Sequence, residues 1–407
     1  MIKFLPFRAL RYNLNLPLEK LIAPPYDVIQ KEERVYFLSM HPYNITHLTL
    51  GDKYPTNYIE ISKVFKEWIN QGILVFEENG YFLYKQEYQW GDKIDKMYGL
   101  LGILELQPLG ENILPHERTF SGPKKDRLEL LKELRANLEP IWGIYEDKEG
   151  KLSSLWKKIE KEKPLIKVTS WDYRDHYLWK INDESLINLI EQYLIEKKIL
   201  IADGHHRYEA SWLYYSETKD EKAKYILMLI TDLYDPGVKL LPTHRIVSKE
   251  VQLNIEDLRK NFDVYLGENM DDLDLVFNPN KPFIYLLKDN RILKLIPNTS
   301  YINSRNNDVS DLWWILPTTL LQKGVWEGIL NTTESDLQEK GLIRFSHDLK
   351  ELRKNINSNE FEYAFILPSI PIEIVYALAI NRERLPQKST YFYPKPASGL
   401  ALWKMDE

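Results

Sequence analysis

A chain of 407 residues, 44% hydrophobic and 13% aromatic, carries ample material for a buried core and is long enough for more than one domain. It has no cysteine, which excludes disulfides, thiolate nucleophiles and cysteine-ligated metals. The 54 Lys and Arg against 60 Asp and Glu leave a net charge of −6, so nothing pulls the whole chain toward nucleic acid or an anionic membrane, and an anion site has to be built locally.

The opening "MIKFLPFRALRYN" is interrupted by Pro6, Arg8 and Arg11 and does not read as a signal peptide. Apolar runs elsewhere, such as "ILMLI" at 226–230, are far too short to span a membrane. The expectation is a cytoplasmic protein, and the cysteine-free composition is compatible with a thermophilic cytosol. The first element with a clear period is 60–74, where Val64, Phe65, Trp68 and Ile69 recur at helical spacing and Gly72 supplies a stop. "YFLYKQEYQW" and "YGLLGILEL" read as strands joined by a hairpin at Gly91-Asp92. A loop over 110–124 leads to a predicted helix, 124–138, striped by Leu128, Leu131, Leu134 and Leu138 and ended by Pro140. "IWGIY", "PLIKV" and "YLWKI" read as strands, "ESLINLIEQYLI" as a helix, and 199–202 as a buried strand. Tyr208, Trp212 and Tyr215 then mark one face of a following helix, and further strands are expected near 283–287, 292–296 and 362–367. The expected class is mixed α/β, in three segments: 1–107, 108–250 and 251–407.

The chemistry concentrates in "IADGHHRYEA", 201–210, at the strand-to-helix junction. The first N–H groups of a helix lack internal partners and the helix dipole makes that end partly positive, so a phosphate is at home there. Gly204 lets backbone approach, and His205, His206 and Arg207 add donors. Asp203 would repel a phosphate unless a cation lay between them, which points to Mg²⁺; a helix-capping role or contact with a substrate hydroxyl or amine is the other reading. Zinc would need histidines from elsewhere, such as His116 or His244.

"LPHERTFSGPKKDR", 114–127, is the second concentration. His116, Arg118 and Thr119 precede a Gly-Pro turn, and Lys124 and Arg127 open a helix whose dipole they oppose unless an anion binds. Glu117 among these cations has the character of a general base. Thr243, His244 and Arg245 in "LPTHR" offer further anion contacts at a strand end. In "IAPPYDVI" the Pro-Pro pair fixes where Tyr26 and Asp27 point, and Asn44 follows as a polar pocket candidate. Lys388, Ser389 and Lys395 in "KSTYFYPKP" are also within the reach of a phosphate reading. No P-loop, G-x-G-x-x-G or kinase H-R-D loop is present, so any phosphate cradle is made of helix ends and side chains.

Together, "APPYD", "PHERT", "GPKKDRL", "DGHHRYEA", "LPTHR" and "KSTYFYPKP" resemble the pattern of a bacterial and archaeal family of unknown function with the DGHHRYE signature, over almost the whole chain. The strand–DGHHR–helix unit, over about 110–215, also resembles the free serine kinases of the ParB/sulfiredoxin-like superfamily. That resemblance implies a ParB/sulfiredoxin-like core in the middle segment, with α/β segments at both ends, and phosphoryl transfer to free L-serine giving O-phospho-L-serine. It implies Glu117 as base and Asp203 to Arg207 on phosphate and metal. Pyrophosphate, ADP or ATP is the implied donor, with pyrophosphate favoured because no adenine-binding motif is readable. The expectation is thus a Mg²⁺-dependent kinase with small-molecule substrates only: Glu117, Asp203 and His205 catalytic, Asp203 on the metal, and Tyr26, Asp27 and Asn44 on the substrate. His116, Arg118, Thr119, Lys124, Arg127, Gly204, His206, Arg207, Thr243, His244 and Arg245 would surround the donor. A metal-dependent phosphohydrolase and a non-enzymatic ParB-like nucleotide- or DNA-binding protein are the alternatives.

Overall fold

The computed structural model describes residues 1–52, 56–117, 121–267, 269–289, 291–356 and 361–406; of residues 121–123 and 356 it describes the backbone. The chain is mixed α/β and divides into two compact units. One comprises Met1–Pro115, Thr119–Val238 and Pro394–Glu407, the other His116–Arg118 and Lys239–Tyr393.

The first unit is built on a sheet that has nine strands among the described residues. From one edge their order is Ile113–Leu114, Ile199–Asp203, Ile141–Tyr145, Tyr225–Asp232, Lys93–Glu105, Tyr81–Trp90, Asp175–Ile181 and Ile166–Thr169, and Phe4–Leu5 also pairs with Lys93–Glu105. The hairpin turns where expected: Trp90 faces Lys93, and Gly91 takes φ +57°, which a side chain would resist. The adjacent strands Ile199–Asp203, Ile141–Tyr145 and Tyr225–Asp232 alternate little and are buried on both faces, which is why "IWGIY", "ILIA" and "ILMLI" read as continuous apolar runs. Tyr208, Trp212 and Tyr215 pack on this core from the helix His205–Thr218.

A smaller four-stranded sheet, ordered Leu74–Phe76, Ala9–Tyr12, Leu402–Lys404, Ala136–Asn137, completes the unit. Against it lies the amphipathic helix Tyr58–Asn70, capped by the Asn57 side chain and burying Ile61, Phe65 and Trp68. The helix expected to run to Leu138 instead spans Ser121–Leu134. Arg135 takes φ +47°, and Ala136–Asn137 then pair with Lys404 and Trp403. A strand partner some 270 residues away outcompetes the local leucine period, and Leu138 is buried outside the helix.

The second unit carries a six-stranded antiparallel sheet ordered Phe262–Leu266, Arg291–Pro297, Ile284–Lys288, Phe361–Ile366, His244–Ser248, Ile343–Ser346. Apolar clusters cover it, with Trp326, Tyr363 and Phe365 fully buried. Among the described residues no helix is long and apolar enough to cross a membrane.

Candidate functional site

The DGHHR corner lies in the first unit. Strand Ile199–Asp203 runs antiparallel to Ile141–Tyr145 in regular register until Ile201 faces Gly143; the register then slips and Asp203 faces Trp142. Such a bulge re-aims the side chain that ends the strand. Gly204 follows at φ +92°, and the helix His205–Thr218 starts at once, with no acid in its first turn. A Cβ on Gly204 would stand 2.9 Å from Ile141 Cδ1 and 3.0 Å from Arg207 Nη2. Gly204→Ala is therefore expected to lower stability by about 1–3 kcal/mol through backbone strain and this crowding; an unchanged denaturation midpoint would contradict the reading.

Asp203 is enclosed by cations. Arg207 donates from Nη2 to Asp203 Oδ2 at 2.9 Å, and the Lys395 ammonium is ion-paired to Oδ1. Burial pushes the Asp203 carboxyl up, but Lys395 and Arg207 outweigh it and hold the group below the usual carboxylate range. Arg207 also donates to the Pro140 carbonyl at 2.8 Å and lies 3.6 Å from Glu139 Oε2. Glu139 Oε1 in turn accepts from the Tyr26 amide at 3.0 Å and the Ser398 hydroxyl at 2.7 Å. Burial raises the Glu139 carboxyl against the pull of Arg207 and Ser398. The Arg127 guanidinium sits 3.9 Å from the centre of the Tyr26 ring, on the desolvated side of a cation–π pair. Lys395 also lies 3.7 Å from Asp27. Beside these groups is a cavity of about 50 Å³ lined by Thr49, Arg127, Glu139, Arg207 and Ser211 with apolar neighbours, room for a water or two.

Tyr26, Asp27, Arg127, Asp203, Gly204 and Arg207 are thus brought to one corner, with His205 and His206 half-buried in the first helical turn beside them. The residues do not fit a Mg²⁺ held by Asp203, because both of its oxygens face protein cations. Among the described residues no three His, Asp or Glu side chains group so as to hold a metal ion.

The segments that build this corner carry the signature read in the sequence, and a family model, that of Protein of unknown function (DUF1015), matches residues 4–319. The chain is a DUF1015 protein. No curated protein matches it. Solved structures resemble this DUF1015 protein at low similarity. A free serine kinase in complex with AMP is 14% identical, covering 72% of this chain and 89% of that chain, with a TM-score of 0.40. A conserved hypothetical protein from Pyrococcus furiosus is 15% identical, covering 72% and 93%, with a TM-score of 0.37. SbnI from Staphylococcus aureus, truncated at its C-terminus, is 11% identical, covering 74% and 87%, also at 0.37.

Other expected site residues of the DUF1015 protein have different surroundings. Asn44 is fully buried and structural: its amide donates to the Lys20 carbonyl at 2.7 Å and its oxygen accepts from the Thr46 amide and hydroxyl. Lys124 pairs with Glu209 at 3.2 Å. Arg127 also donates to the Thr49 carbonyl and to Asp126. Arg118 and Thr119 lie outside the described residues.

His116, Glu117, Thr243, His244 and Arg245 belong to the second unit. Glu117 Oε1 accepts from the Ser389 amide at 3.1 Å, the Thr390 amide at 3.3 Å and the Thr390 hydroxyl at 3.0 Å. His116 Nε2 is 2.7 Å from the same hydroxyl. Arg245, wholly buried, forks onto Glu334 at 2.9 and 2.8 Å and donates to the Thr243, Gln387 and Lys388 carbonyls. A guanidinium so engaged holds chain segments together. His244 Nδ1 accepts from the Leu367 amide at 3.2 Å, and Thr243 is buried beside it.

Burial pushes His244 down to about 3, with His347 and Arg245 adding to the effect. A histidine depressed in the fold contributes stability above its ordinary value of 6.5 that is lost as pH falls toward 3. Between pH 7 and 5, His244 should account for about 2 kcal/mol of lost stability. His244→Asn, which keeps an acceptor for Leu367, should flatten that part of the pH dependence in denaturant unfolding, and an unaltered pH slope would refute it.

Glu139 and Ser398 were not read from the sequence as site residues. The only local signal for Glu139 is an acid placed directly before Pro140 and a buried strand.

Proposed function

We propose that this protein is a phosphotransferase that moves a phosphoryl group from pyrophosphate, or from a nucleotide, to the hydroxyl of free L-serine. The observation that supports it most is the corner where Arg207 and Lys395 flank Asp203 at the start of a 14-residue helix opened by Gly204. Phosphoryl transfer passes through a loose transition state with charge spread over the phosphoryl oxygens, so positioned cations and helix N–H groups carry most of the catalysis. Glu117, the base implied by the resemblance to the serine kinases, takes the proton of the serine hydroxyl. The serine oxygen then bonds to phosphorus, and the bridging P–O bond of the donor breaks. With pyrophosphate the products are O-phospho-L-serine and inorganic phosphate. The acceptor and the donor come from the sequence resemblance; the corner supplies the anion chemistry.

A metal-dependent hydrolase is less well supported, because the donor set around Asp203 is already filled by an ammonium and a guanidinium. The test is incubation of purified protein with L-serine, Mg²⁺ and pyrophosphate, ADP or ATP in parallel, with O-phosphoserine followed by mass spectrometry. Formation with one of the donors is the expected result. No phosphoserine with any of them would end the proposal.

A further inference from the structure

Asp27 and Asp203 look onto one positive centre. The Lys395 ammonium is ion-paired to Asp203 Oδ1 and lies 3.7 Å from Asp27 Oδ2, while Arg207 occupies Asp203 Oδ2. Two carboxylates about one cation is how phosphate-handling sites commonly hold a divalent ion. Here a covalently attached ammonium stands in that place. Its side chain is 12% exposed and that of Asp203 11%, so neither charge is left to bulk water and each needs the other. An ammonium is a compact cation with three donors and no coordination sphere to rebuild, so it can serve a carboxylate and a phosphate in turn or together. The residue arrives on the segment Pro394–Glu407, which belongs to the same unit as Asp27 and Asp203 although it lies beyond the stretch matched by the family model.

Resting on the phosphotransferase reading, we infer that Lys395 is the site's own cation for the donor phosphate, binding its oxygens directly, and that Asp203 and Asp27 position this ammonium instead of a divalent metal. It follows that the donor binds the protein without a metal, and that any metal used in turnover enters on the phosphates. The inference also gives Asp203 a positioning role beside a negatively charged ligand it would otherwise repel.

The experiment titrates wild type, Lys395→Met and Lys395→Arg with inorganic pyrophosphate in EDTA by calorimetry, and with Mn²⁺ alone by electron paramagnetic resonance. Wild type should bind pyrophosphate in EDTA. Lys395→Met should weaken binding by about 10- to 100-fold, the range for a hydrogen bond to a charged group, and Lys395→Arg should recover part of it. Mn²⁺ alone should not bind wild type but should bind Lys395→Met, in which the two carboxylates have lost their ammonium, a gain that loss of a merely structural lysine would not give. Lys395→Gln, which keeps a donor toward Asp203, is expected to show the same loss and serves should methionine prevent folding. Pyrophosphate binding unchanged in the variants, a strict need for a divalent ion, or Mn²⁺ bound by wild type and released by Asp203→Asn would each overturn the inference and leave the phosphotransferase reading standing. Wild type that binds neither pyrophosphate nor nucleotide under any condition would overturn both.

Discussion

Replacing Arg207 with methionine should destabilise the first unit by about 3–5 kcal/mol, the usual result of removing one partner from a buried ionic cluster. The side chain is 12% exposed and ties together Asp203, the Pro140 carbonyl and Glu139, whose own side chain is 4% exposed. Methionine replaces the aliphatic stem but leaves two carboxylates facing apolar surroundings with one cation fewer. Lys395 still pairs with Asp203, so the larger share of the loss falls on Glu139, which retains the Tyr26 amide, the Ser398 hydroxyl and the weaker pull of Arg127 but loses the Arg207 guanidinium. Denaturant titration followed by tryptophan fluorescence measures it, Trp142 being a buried reporter paired with Asp203 in the sheet. A loss within about 0.5 kcal/mol, the range of an ordinary surface substitution, would show that the cluster does not hold the corner together.

Glu117→Gln should lower turnover by about 10²- to 10⁴-fold, the usual worth of a positioned base, with little change in stability. The two effects separate because of how the carboxylate is used in the fold. Its Oε1 accepts three hydrogen bonds, from the Ser389 amide and from the Thr390 amide and hydroxyl. A glutamine oxygen accepts the same three, so the geometry around residues 389 and 390 persists while the capacity to take up a proton is gone. Steady-state kinetics with serine as the varied substrate, beside a thermal melt of each protein, tests both halves. Near-normal turnover removes Glu117 from the role of base. A large drop in melting temperature would instead assign it to holding the 389–390 segment.

The strongly periodic and strongly apolar elements were legible in the sequence: the helix around Phe65 and Trp68, the hairpin at Gly91, the buried strand before Asp203 and the helix after it. So was the crowding of charge at 203–207, because Asp203, His205, His206 and Arg207 fall together where a buried strand meets a helix. What escaped depends on partners far along the chain. The helix expected through Leu138 ends at Leu134 because Ala136 and Asn137 pair with Lys404 and Trp403, and no local signal announces a strand supplied from the other end of the sequence. Arg245 reads as an anion ligand until its guanidinium is found on Glu334, 89 residues on. Asp203 reads as a metal ligand because a carboxylate near phosphates requires a cation, and sequence alone does not say that Lys395, 192 residues away, pairs with it. The cations that pair with Asp203 are identified only by the fold.

The most direct test of the central claim is a crystal structure of the protein with pyrophosphate bound. Phosphate density is predicted at the start of the helix His205–Thr218, with oxygens in hydrogen-bond reach of its first amides, Arg207 and Lys395. Pyrophosphate bound elsewhere, with the Lys395–Asp203 pair and Arg207 untouched, would contradict the account.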